Sequence, residues 1–292
     1  MLQQNKCIKL SIIIPACNEK EGLSRILPQL VDNFPHAEIL IIDDGSTDDT
    51  AKYARSLGVR VISHPHRLGN GAAIKTGARA AQGEVFVLMD ADGQHSIGDI
   101  QRLLETFQEG YDMVVGARSR AGQANFVRYL GNRFYNWIAT LIVNQKVQDL
   151  TSGFRVVRAK KFKEFLHLLP NGFSYPSTIT LAFFRMGYPI RYIPIDVFKR
   201  LGKSHLRPLS DGLRFFILIY KITILYSPLK IFLPLGFIHL ALGLLNYAYT
   251  FATSGRFTNM SAVFLTSAII IFLIGLVSEQ ITILIYRGLR DS

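Results

Sequence analysis

Residues 83–95 read GEVFVLMDADGQH, a run of apolar residues that stops at two aspartates. The unbroken apolar run predicts a strand over residues 83–90 that is buried on both faces, as in a parallel sheet. Side chains two apart on a strand point the same way, so Asp90 and Asp92 are predicted to share a face beside Gly93. Such a pair is half of an oxygen site for Mg²⁺ or Mn²⁺, although aspartates are also common in solvated turns.

The same pattern continues on both sides of this stretch. Further strands are predicted over residues 9–16, 37–44, 59–64 and 111–118. Helical patterns separate them, over residues 21–34, 46–58, 69–83 and 97–110, and Pro28 marks a candidate break in the first. This alternation predicts a mostly parallel α/β sheet covered on both faces. Beyond it we expect a helix over 123–147, a strand over 151–159, and an edge strand over 189–198 because of its prolines.

Polar clusters stand where three of these strands end. They are PACNE (15–19), DDGSTDD (43–49) and DADGQH (90–95). Ligands of open α/β sheets bind beyond the carboxyl ends of the strands. Asp44 and Glu19 are therefore candidates to accept hydrogen bonds from a base or a ribose, although D-G-S-T before a helix is also ordinary turn chemistry. Two nucleotide motifs are excluded, because Ile74 interrupts G-x-G-x-x-G and no G-x-x-x-x-G-K-[ST] occurs.

Two long apolar segments lie near the C-terminus. Residues 231–251 carry no charge, and neither do residues 261–278, after which ITILIY prolongs the run. Each is long enough to span a membrane, the alternative being a pair of buried core helices. Eight Lys or Arg lie in residues 191–230, against one Arg in the loop between the segments. The positive-inside rule then places both termini in the cytoplasm and the short loop outside.

Charge and cysteine content narrow the class further. The formal net charge is +12, and much of the basic excess precedes the first apolar segment, which favours a lipid bilayer over nucleic acid as partner. Residues 213–226 predict a helix in the membrane interface, or alternatively a buried amphipathic helix. Cys7 and Cys17 predict reduced thiols in a cytosolic domain. No secretory signal is expected at the N-terminus.

In combination, these motifs resemble a known family. PACNE, IIDDGSTDDT, HRLGNGAAIKTG, MDADGQH and DLTSGFRV occur in the order and spacing of the family 2 glycosyltransferases. The chain is most similar to the polyprenyl-phosphate glycosyltransferases, the group that includes dolichol-phosphate mannose synthases. The resemblance covers about residues 9–210, and the two C-terminal segments match one subgroup. It implies a GT-A fold, a nucleotide-diphosphate sugar donor, and Mg²⁺ or Mn²⁺ bound through the D-x-D.

The resemblance also assigns residues to the donor. The nucleotide pocket would be lined by Pro15, Cys17, Glu19, Ile42 and Asp44. The residues that would contact the metal, the diphosphate and the sugar are Asp90, Ala91, Asp92 and Gln94. Asp90 and Asp92 would be the metal ligands. The family usually has an aromatic residue where this chain has Cys17, so stacking by that ring is absent here. Cys17 is expected to give backbone contacts, with a reactive thiol as the alternative.

Further residues are assigned to the acceptor and to catalysis. Arg118 and Arg133 would face the diphosphate or the acceptor phosphate. Asp149 lies where the family places an acid near the acceptor, to orient the phosphate, to act as a base, or only to cap a turn. A basic loop could hold the acceptor phosphate, or attract anionic headgroups without specificity. Its residues are Arg200, Lys203, His205 and Arg207.

The expected activity is inverting, metal-dependent transfer of a sugar from a UDP- or GDP-sugar to a polyprenyl phosphate, with undecaprenyl phosphate expected in a bacterium. The product would serve cell-envelope glycans. Asp92, Asp149 and Arg118 are the expected catalytic residues. The expected layout is a cytosolic domain (1–210), a juxtamembrane segment (211–230), two spans (231–286) and a cytoplasmic tail (287–292), with self-association a further expectation. Alternatives are another lipid acceptor, or an inactive sugar-nucleotide-binding subunit; a processive synthase is disfavoured because Q-x-x-R-W is missing.

Overall fold

The computed structural model describes residues 9–118, 126–172, 174–197 and 226–287, together with Tyr220 and Ile224. The chain divides into two compact units between Leu206 and Arg207. The predicted interfacial helix over 213–226 and the basic loop with Arg200, Lys203, His205 and Arg207 lie almost wholly outside the described residues. Only Tyr220, Ile224 and Tyr226 of that helix are described.

The first unit is built on one sheet of seven strands. They are β1 (Leu10–Ala16), β2 (Glu38–Asp43), β3 (Arg60–Ser63), β4 (Val85–Leu88), β5 (Met113–Arg118), β6 (Arg155–Arg158) and β7 (Ile190–Ile195). Their order is β3-β2-β1-β4-β6-β5-β7, so β7 is the edge strand that its prolines predict. Every described pairing is parallel except those of β6, which is antiparallel to β4 and to β5. The predicted mostly parallel α/β class is confirmed.

The reversed strand β6 determines what lies at the functional edge of the sheet. Its first residue, Arg155, pairs with Leu88 at the carboxyl end of β4. The residues before β6 therefore arrive at the same edge as the residues after β4. For this reason DLTSGFR and DADGQH become neighbours in space.

Seven helices are described in this unit. They are α1 (Lys20–Asn33), α2 (Thr50–Ser56), α3 (Asn70–Ala80), α4 (Ile97–Gln108), α5 (Phe126–Val143), α6 (Ala159–Glu164) and α7 (Tyr175–Arg185). The candidate break at Pro28 is wrong, because α1 continues through it. Pro28 and Ser24 are both exposed, so water can satisfy the Ser24 carbonyl that loses its partner. The helices α6 and α7 are not expected from the sequence.

Close packing of α3 fixes the loop that follows β3. A methyl group at Gly77 would lie 2.4 Å from Ile13 Cγ2 and 3.2 Å from Ile42 Cγ1, so only glycine lets α3 approach β1 and β2 so closely. At its other end, α3 joins residues 169–172 through the backbone. The amides of Gly71 and Ala72 donate to the carbonyls of Gly172 (3.1 Å) and Asn171 (2.8 Å).

The second unit contains two long apolar helices, α8 (Leu229–Ser254) and α9 (Asn259–Arg287). By length and composition both are able to cross a membrane. Over the most apolar 18 residues of each helix, only 11% is buried in α8 and 17% in α9. That exposure is unlike the core helices considered as the alternative. Small residues line the seam between the two helices, among them Gly236, Gly243, Ala268 and Gly275. Near the connecting loop, Asn246 Oδ1 accepts hydrogen bonds from Thr258 (3.1 Å) and Ser261 (2.8 Å).

Candidate active site

Asn18 joins the two loops that follow β1 and β2. Its side-chain oxygen accepts hydrogen bonds from the backbone amides of Thr47 (2.8 Å) and Asp48 (3.3 Å). The backbone amide of Asn18 donates to Ser46 Oγ at 2.9 Å. The φ of Asn18 is 54°, in the left-handed region that asparagine tolerates. PACNE and DDGSTDD therefore form one rigid ledge at the carboxyl edge of the sheet.

The Asp44 carboxylate is buried and anchors the loop after β3. It accepts hydrogen bonds from the amides of Leu68 and Gly69, each at 2.8 Å, and lies 2.8 Å from His64 Nδ1. Burial raises the pKa of Asp44, but the hydrogen bonds from His64, Leu68 and Gly69 outweigh it and hold the pKa below its usual value. His64 in turn reaches Thr76 Oγ1 at 2.9 Å. Asp44 thus fixes the loop over the edge, and any ligand must share oxygens that already accept hydrogen bonds.

The other residues assigned to the nucleotide pocket have varied surroundings. Pro15 and Cys17 are half-buried at the end of β1, and Glu19 is half-buried directly before α1. Burial raises the pKa of Cys17, which disfavours the reactive thiolate. Ile42 has no exposed surface and packs beneath Gly77. Its side chain is part of the core rather than of an open pocket.

The two acids of the D-x-D follow the strand instead of ending it. Because β4 ends at Leu88 and a turn begins at Ala91, the extended-backbone reason for a shared face is wrong. Ala91 is buried in the core, and a methyl group at Gly22 would lie 2.1 Å from the Ala91 carbonyl oxygen. The first turn of α1 therefore presses on the backbone between the two acids. Asp92 Oδ1 accepts from the Gln94 amide at 3.2 Å, and Asp90 and Asp92 both stay partly exposed.

The segment before β6 forms the back of this turn. A methyl group at Gly153 would lie 3.0 Å from Asp90 Oδ2 and 3.3 Å from Oδ1. The ring of Phe154 stacks on His95, with the ring centres 4.4 Å apart and the planes 13° from parallel. Burial lowers the pKa of His95 to about 4, so the imidazole is neutral at pH 7. DLTSGFR thus sets the position of DADGQH through one glycine and one ring.

Arg118 and Asp149 form a two-pronged ion pair beside this turn. Arg118 Nε donates to Asp149 Oδ2 at 2.8 Å, and Nη2 donates to Oδ1 at 2.9 Å. The Thr151 amide also donates to Asp149 Oδ1, at 3.1 Å. Burial raises the pKa of Asp149, but the bonds from Arg118 and Thr151 outweigh it and leave the pKa below its usual value. Asp149 is therefore a weak base that holds Arg118 in place.

A second arginine is completely buried behind the site. Arg155 donates to the carbonyls of Ser152 and Pro176 and to Thr180 Oγ1. Among the described residues it has no carboxylate partner at ion-pair distance, and burial lowers its pKa. Tyr175 lies beside it, with the Arg155 Cζ atom 5.8 Å from the ring centre. Arg155 thereby fixes the residues that support Asp90 and leaves a positive charge near that carboxylate.

The donor set suits a divalent cation that also binds a phosphorylated ligand. Within the described ranges, no group of three or more His, Cys, Asp or Glu side chains is arranged for a metal. Mg²⁺, however, commonly takes only one or two protein carboxylates and completes its shell with phosphate oxygens and water. Asp90 and Asp92 can supply that pair, and Gly153 leaves room for the Asp90 carboxylate.

Of the residues assigned to the acceptor phosphate, Arg133 is described, whereas Arg200, Lys203, His205 and Arg207 lie outside the described residues. Arg133 is exposed on α5 and makes no hydrogen bond or ion pair with the described residues. Five further residues belong to the site although the sequence did not predict them there: Asn18, His64, Gly153, Phe154 and Arg155. Four of them, all except His64, lie inside the motifs PACNE and DLTSGFR. Their place in these motifs was the sequence feature that could have indicated a role in the site.

Comparison with known proteins identifies the class. Residues 11–166 match glycosyl transferase family 2, and the chain belongs to this family. Residues 227–284 match the GtrB C-terminal hairpin, which is formed here by α8 and α9. The predicted family and the two-helix subgroup are confirmed.

Several curated proteins are similar to the chain. Glycosyltransferase AglJ of Haloferax volcanii is 29% identical over 80% of this chain and 78% of that protein. A dolichyl-phosphate hexose transferase of the same organism is 28% identical over 70% of this chain and 89% of that protein. The dolichol-phosphate mannosyltransferase of Pyrococcus furiosus is 33% identical over 57% of this chain, which spans 50% of that protein.

A solved structure shares the fold of the first unit. The glucosyl-3-phosphoglycerate synthase of Mycobacterium tuberculosis, crystallised with Mn²⁺ and UDP-glucose, superposes with a TM-score of 0.60. It is 21% identical, and the match covers 74% of this chain and 79% of that one. The GT-A class expected from the sequence is thereby confirmed.

Proposed function

We propose that this protein transfers one sugar from a UDP- or GDP-sugar to a polyprenyl phosphate, undecaprenyl phosphate in a bacterium, at the cytoplasmic face of the inner membrane. The observation that carries the proposal is the meeting of DADGQH with the Arg118–Asp149 pair at one sheet edge, in a chain with two membrane-type helices. Family membership supports the reaction type. Relatives named for dolichyl-phosphate hexose and dolichol-phosphate mannose transfer support the acceptor.

The donor would lie along the edge formed by the first three strand ends. The ledge joined by Asn18 faces the nucleoside, and Asp90 and Asp92 face the diphosphate. Both acids would hold the Mg²⁺ or Mn²⁺, which when bound neutralises charge that develops on the leaving diphosphate. A structure of the same fold contains Mn²⁺ and UDP-glucose, which supports a divalent metal and a nucleotide sugar as the ligands proposed here.

Arg118 is the residue we assign to phosphate. Two of its nitrogens hold Asp149, while Nη1 makes no hydrogen bond within the described residues and remains for an anionic ligand. The Arg118 side chain is 30% exposed, so a ligand can reach it. A preorganised arginine stabilises negative charge in the transition state without having to reorient.

The reaction itself needs little from a general base. The bond from the anomeric carbon to the diphosphate breaks, and a lipid phosphate oxygen bonds to that carbon from the opposite face, which inverts the centre. A phosphate monoester already carries about −1.5 to −2 charges at pH 7. Asp149, with its low pKa, therefore serves as a positioning residue for Arg118 rather than as the base.

The test uses the purified full chain in liposomes that contain undecaprenyl or dolichyl phosphate, with a panel of labelled UDP- and GDP-sugars and Mg²⁺ or Mn²⁺. We expect one donor to give a labelled lipid bearing a single sugar, and chelation of the metal to abolish it. Asp92→Asn should lower transfer at least about 100-fold, since it removes charge stabilisation from the leaving group.

Asp32→Asn is the matched control, because Asp32 is exposed on α1 and should leave the rate unchanged. Undiminished transfer by Asp92→Asn would refute the assigned mechanism. Sugar-nucleotide binding without any transfer would favour the inactive-subunit alternative, and product on a different lipid would overturn the proposed acceptor.

A further inference from the structure

The Asp44 carboxylate has most of its hydrogen-bonding capacity already filled. An ionised carboxylate only accepts hydrogen bonds, at about four lone-pair positions, two on each oxygen. His64 Nδ1 and the Leu68 amide both reach Oδ1, each at 2.8 Å, and the Gly69 amide reaches Oδ2 at 2.8 Å. Within the described part of the chain Oδ1 is therefore full, and one lone pair is left, on Oδ2.

His64 is held in place from behind. Its backbone amide donates to the Asp43 carbonyl at 2.8 Å, and its Nε2 lies 2.9 Å from Thr76 Oγ1 on α3. The imidazole is only 8% exposed. Because Asp44 accepts, Nδ1 carries the hydrogen of the bond between them. The ring cannot turn away from Asp44 without losing the contact with Thr76 as well.

The two amides that reach Asp44 are fixed by backbone packing. Gly45 has a φ of 69°, and a methyl group there would lie 2.7 Å from the Arg67 nitrogen, so the loop rests directly on Gly45. On the far side, a methyl group at Gly69 would lie 2.6 Å from the Asn171 carbonyl oxygen. The loop is thus held between two stretches of backbone, and its amides cannot withdraw to free a lone pair.

Nucleotide bases differ in the number of N–H groups that they present to a carboxylate. Uracil has one, the ring N3–H. Guanine presents two side by side, the ring N1–H and the 2-amino group, and a carboxylate binds both when each of its oxygens accepts one. Asp44 has a single position left on a single oxygen. It can satisfy uracil, but it leaves the amino group of guanine without a partner, and an unpaired buried donor weakens binding.

We propose that His64 sets the base specificity of the nucleotide pocket: with the Leu68 amide it fills Oδ1 of Asp44, and so selects uracil over guanine. The inference rests on the proposed function, in which Asp44 contacts the base, and it narrows the donor to a UDP-sugar. The Asp44 side chain is 5% exposed, which suits one hydrogen bond to a ligand rather than two. His64 acts through Asp44 and is a positioning residue.

Three nucleotides test the donor count. The purified full chain in detergent is titrated with UDP, GDP and IDP in the presence of Mg²⁺, and heat of binding is measured. IDP is GDP without the 2-amino group, so it presents one N–H on a purine frame. We expect UDP to bind about 10- to 100-fold more tightly than GDP, and IDP about tenfold more tightly than GDP.

Two results of this titration would overturn the inference. GDP that binds as tightly as UDP would show that Asp44 does not discriminate. GDP that binds as tightly as IDP would show that the size of the ring system, and not the number of N–H groups, decides.

A pair of variants tests His64 itself. His64→Leu removes the donor and frees a lone pair on Oδ1, whereas His64→Asn keeps an amide N–H for Asp44. We expect the affinity for GDP relative to UDP to rise about tenfold in His64→Leu and to stay near the wild-type value in His64→Asn. Melting curves show whether each variant is folded. An unchanged ratio in folded His64→Leu would refute the role of His64, and if that variant does not fold, the three nucleotides still decide on the wild-type chain.

These measurements are separable from the proposed transfer, because the nucleotides carry neither sugar nor lipid. A preference for UDP in a protein that transfers no sugar would refute the proposed function and leave this inference intact. A preference for GDP in a protein that forms a lipid-linked sugar would refute the inference alone.

Discussion

At the scale of single residues, the site depends on positions where a side chain is lacking. The Asp90 carboxylate rests against Gly153, and the turn between the two acids rests against Gly22. Neither glycine has a chemical group to offer a ligand. Their contribution is to let two backbones approach, which places acids on the rim of the sheet with little freedom to move.

Gly153→Ala tests this role. The added methyl would lie 3.0 Å from Asp90 Oδ2, and the carboxylate must move to accommodate it. Because displacement of a catalytic group by about 1 Å can cost up to 100-fold, we expect sugar transfer to fall roughly 10- to 100-fold. Labelled lipid product measures the effect. Gly172→Ala is the control, since a methyl there meets no atom within 4 Å. Equal activity of the two variants would remove Gly153 from the site.

At the scale of elements, the sequence predicts those helices and strands that have a periodic pattern of apolar residues. Each of the seven strands overlaps a predicted segment, because apolar runs bounded by turn residues are a local signal. Helix α7 was not expected because Tyr175–Phe184 is buried all round, which erases the amphipathic pattern. The direction of β6 was open, since a strand pattern is the same in either direction. That direction decides which side chains meet Asp90.

The same limit applies to the site residues. Asp90 and Asp92 are recognisable from their charge at the end of an apolar run, whereas Arg118 was assigned through the resemblance to the family. Arg155 and Phe154 act from behind the site, through contacts with Ser152 and His95 that only the folded chain creates. Ile42, by contrast, was expected in the site and does not line it with its side chain. Its position in the motif suggested a nucleotide pocket, whereas packing against α3 buries the side chain completely.

Helix α3 carries the prediction at this scale. Gly77→Ala adds a methyl 2.4 Å from Ile13 Cγ2 in a close-packed layer. Overpacking of this kind costs about 1–3 kcal/mol, so the protein should unfold at lower temperature or denaturant concentration. Gly98→Ala in α4 is the control, because its methyl has only Ser96 Oγ in reach, at 3.6 Å. Equal stability of the two variants would mean that α3 can shift without cost.

At the scale of the whole molecule, basic residues are distributed unevenly on the two sides of the membrane-type hairpin. The loop between α8 and α9 has a single basic residue, Arg256, whereas eight Lys or Arg lie in residues 191–230. Basic residues that flank spans stay on the cytoplasmic side. This asymmetry supports an orientation with the sugar-transfer domain and both termini in the cytoplasm.

The orientation is open to labelling in intact cells. In a background with Cys7→Ser and Cys17→Ser, Arg256→Cys should react with a membrane-impermeant maleimide added outside. Ser292→Cys should react only after the cells are broken. The opposite pattern would reverse the topology, and labelling of neither site in intact cells would show that the hairpin does not expose its loop.

The contact between α3 and residues 169–172 determines which residues can be substituted there. In the backbone, the amides of Gly71 and Ala72 donate to two carbonyls of the loop. Every amino acid has a backbone carbonyl, and every one except proline has a backbone N–H. Gly71 is constrained there, since a methyl would lie 2.0 Å from the Pro170 carbonyl oxygen. Gly69 is constrained as well, because its φ is 105° and a methyl would lie 2.6 Å from the Asn171 carbonyl oxygen. Most residues of the opposing loop can therefore change identity without loosening this contact. Asn171 is the exception, because its side-chain oxygen accepts a hydrogen bond from Lys75 Nζ.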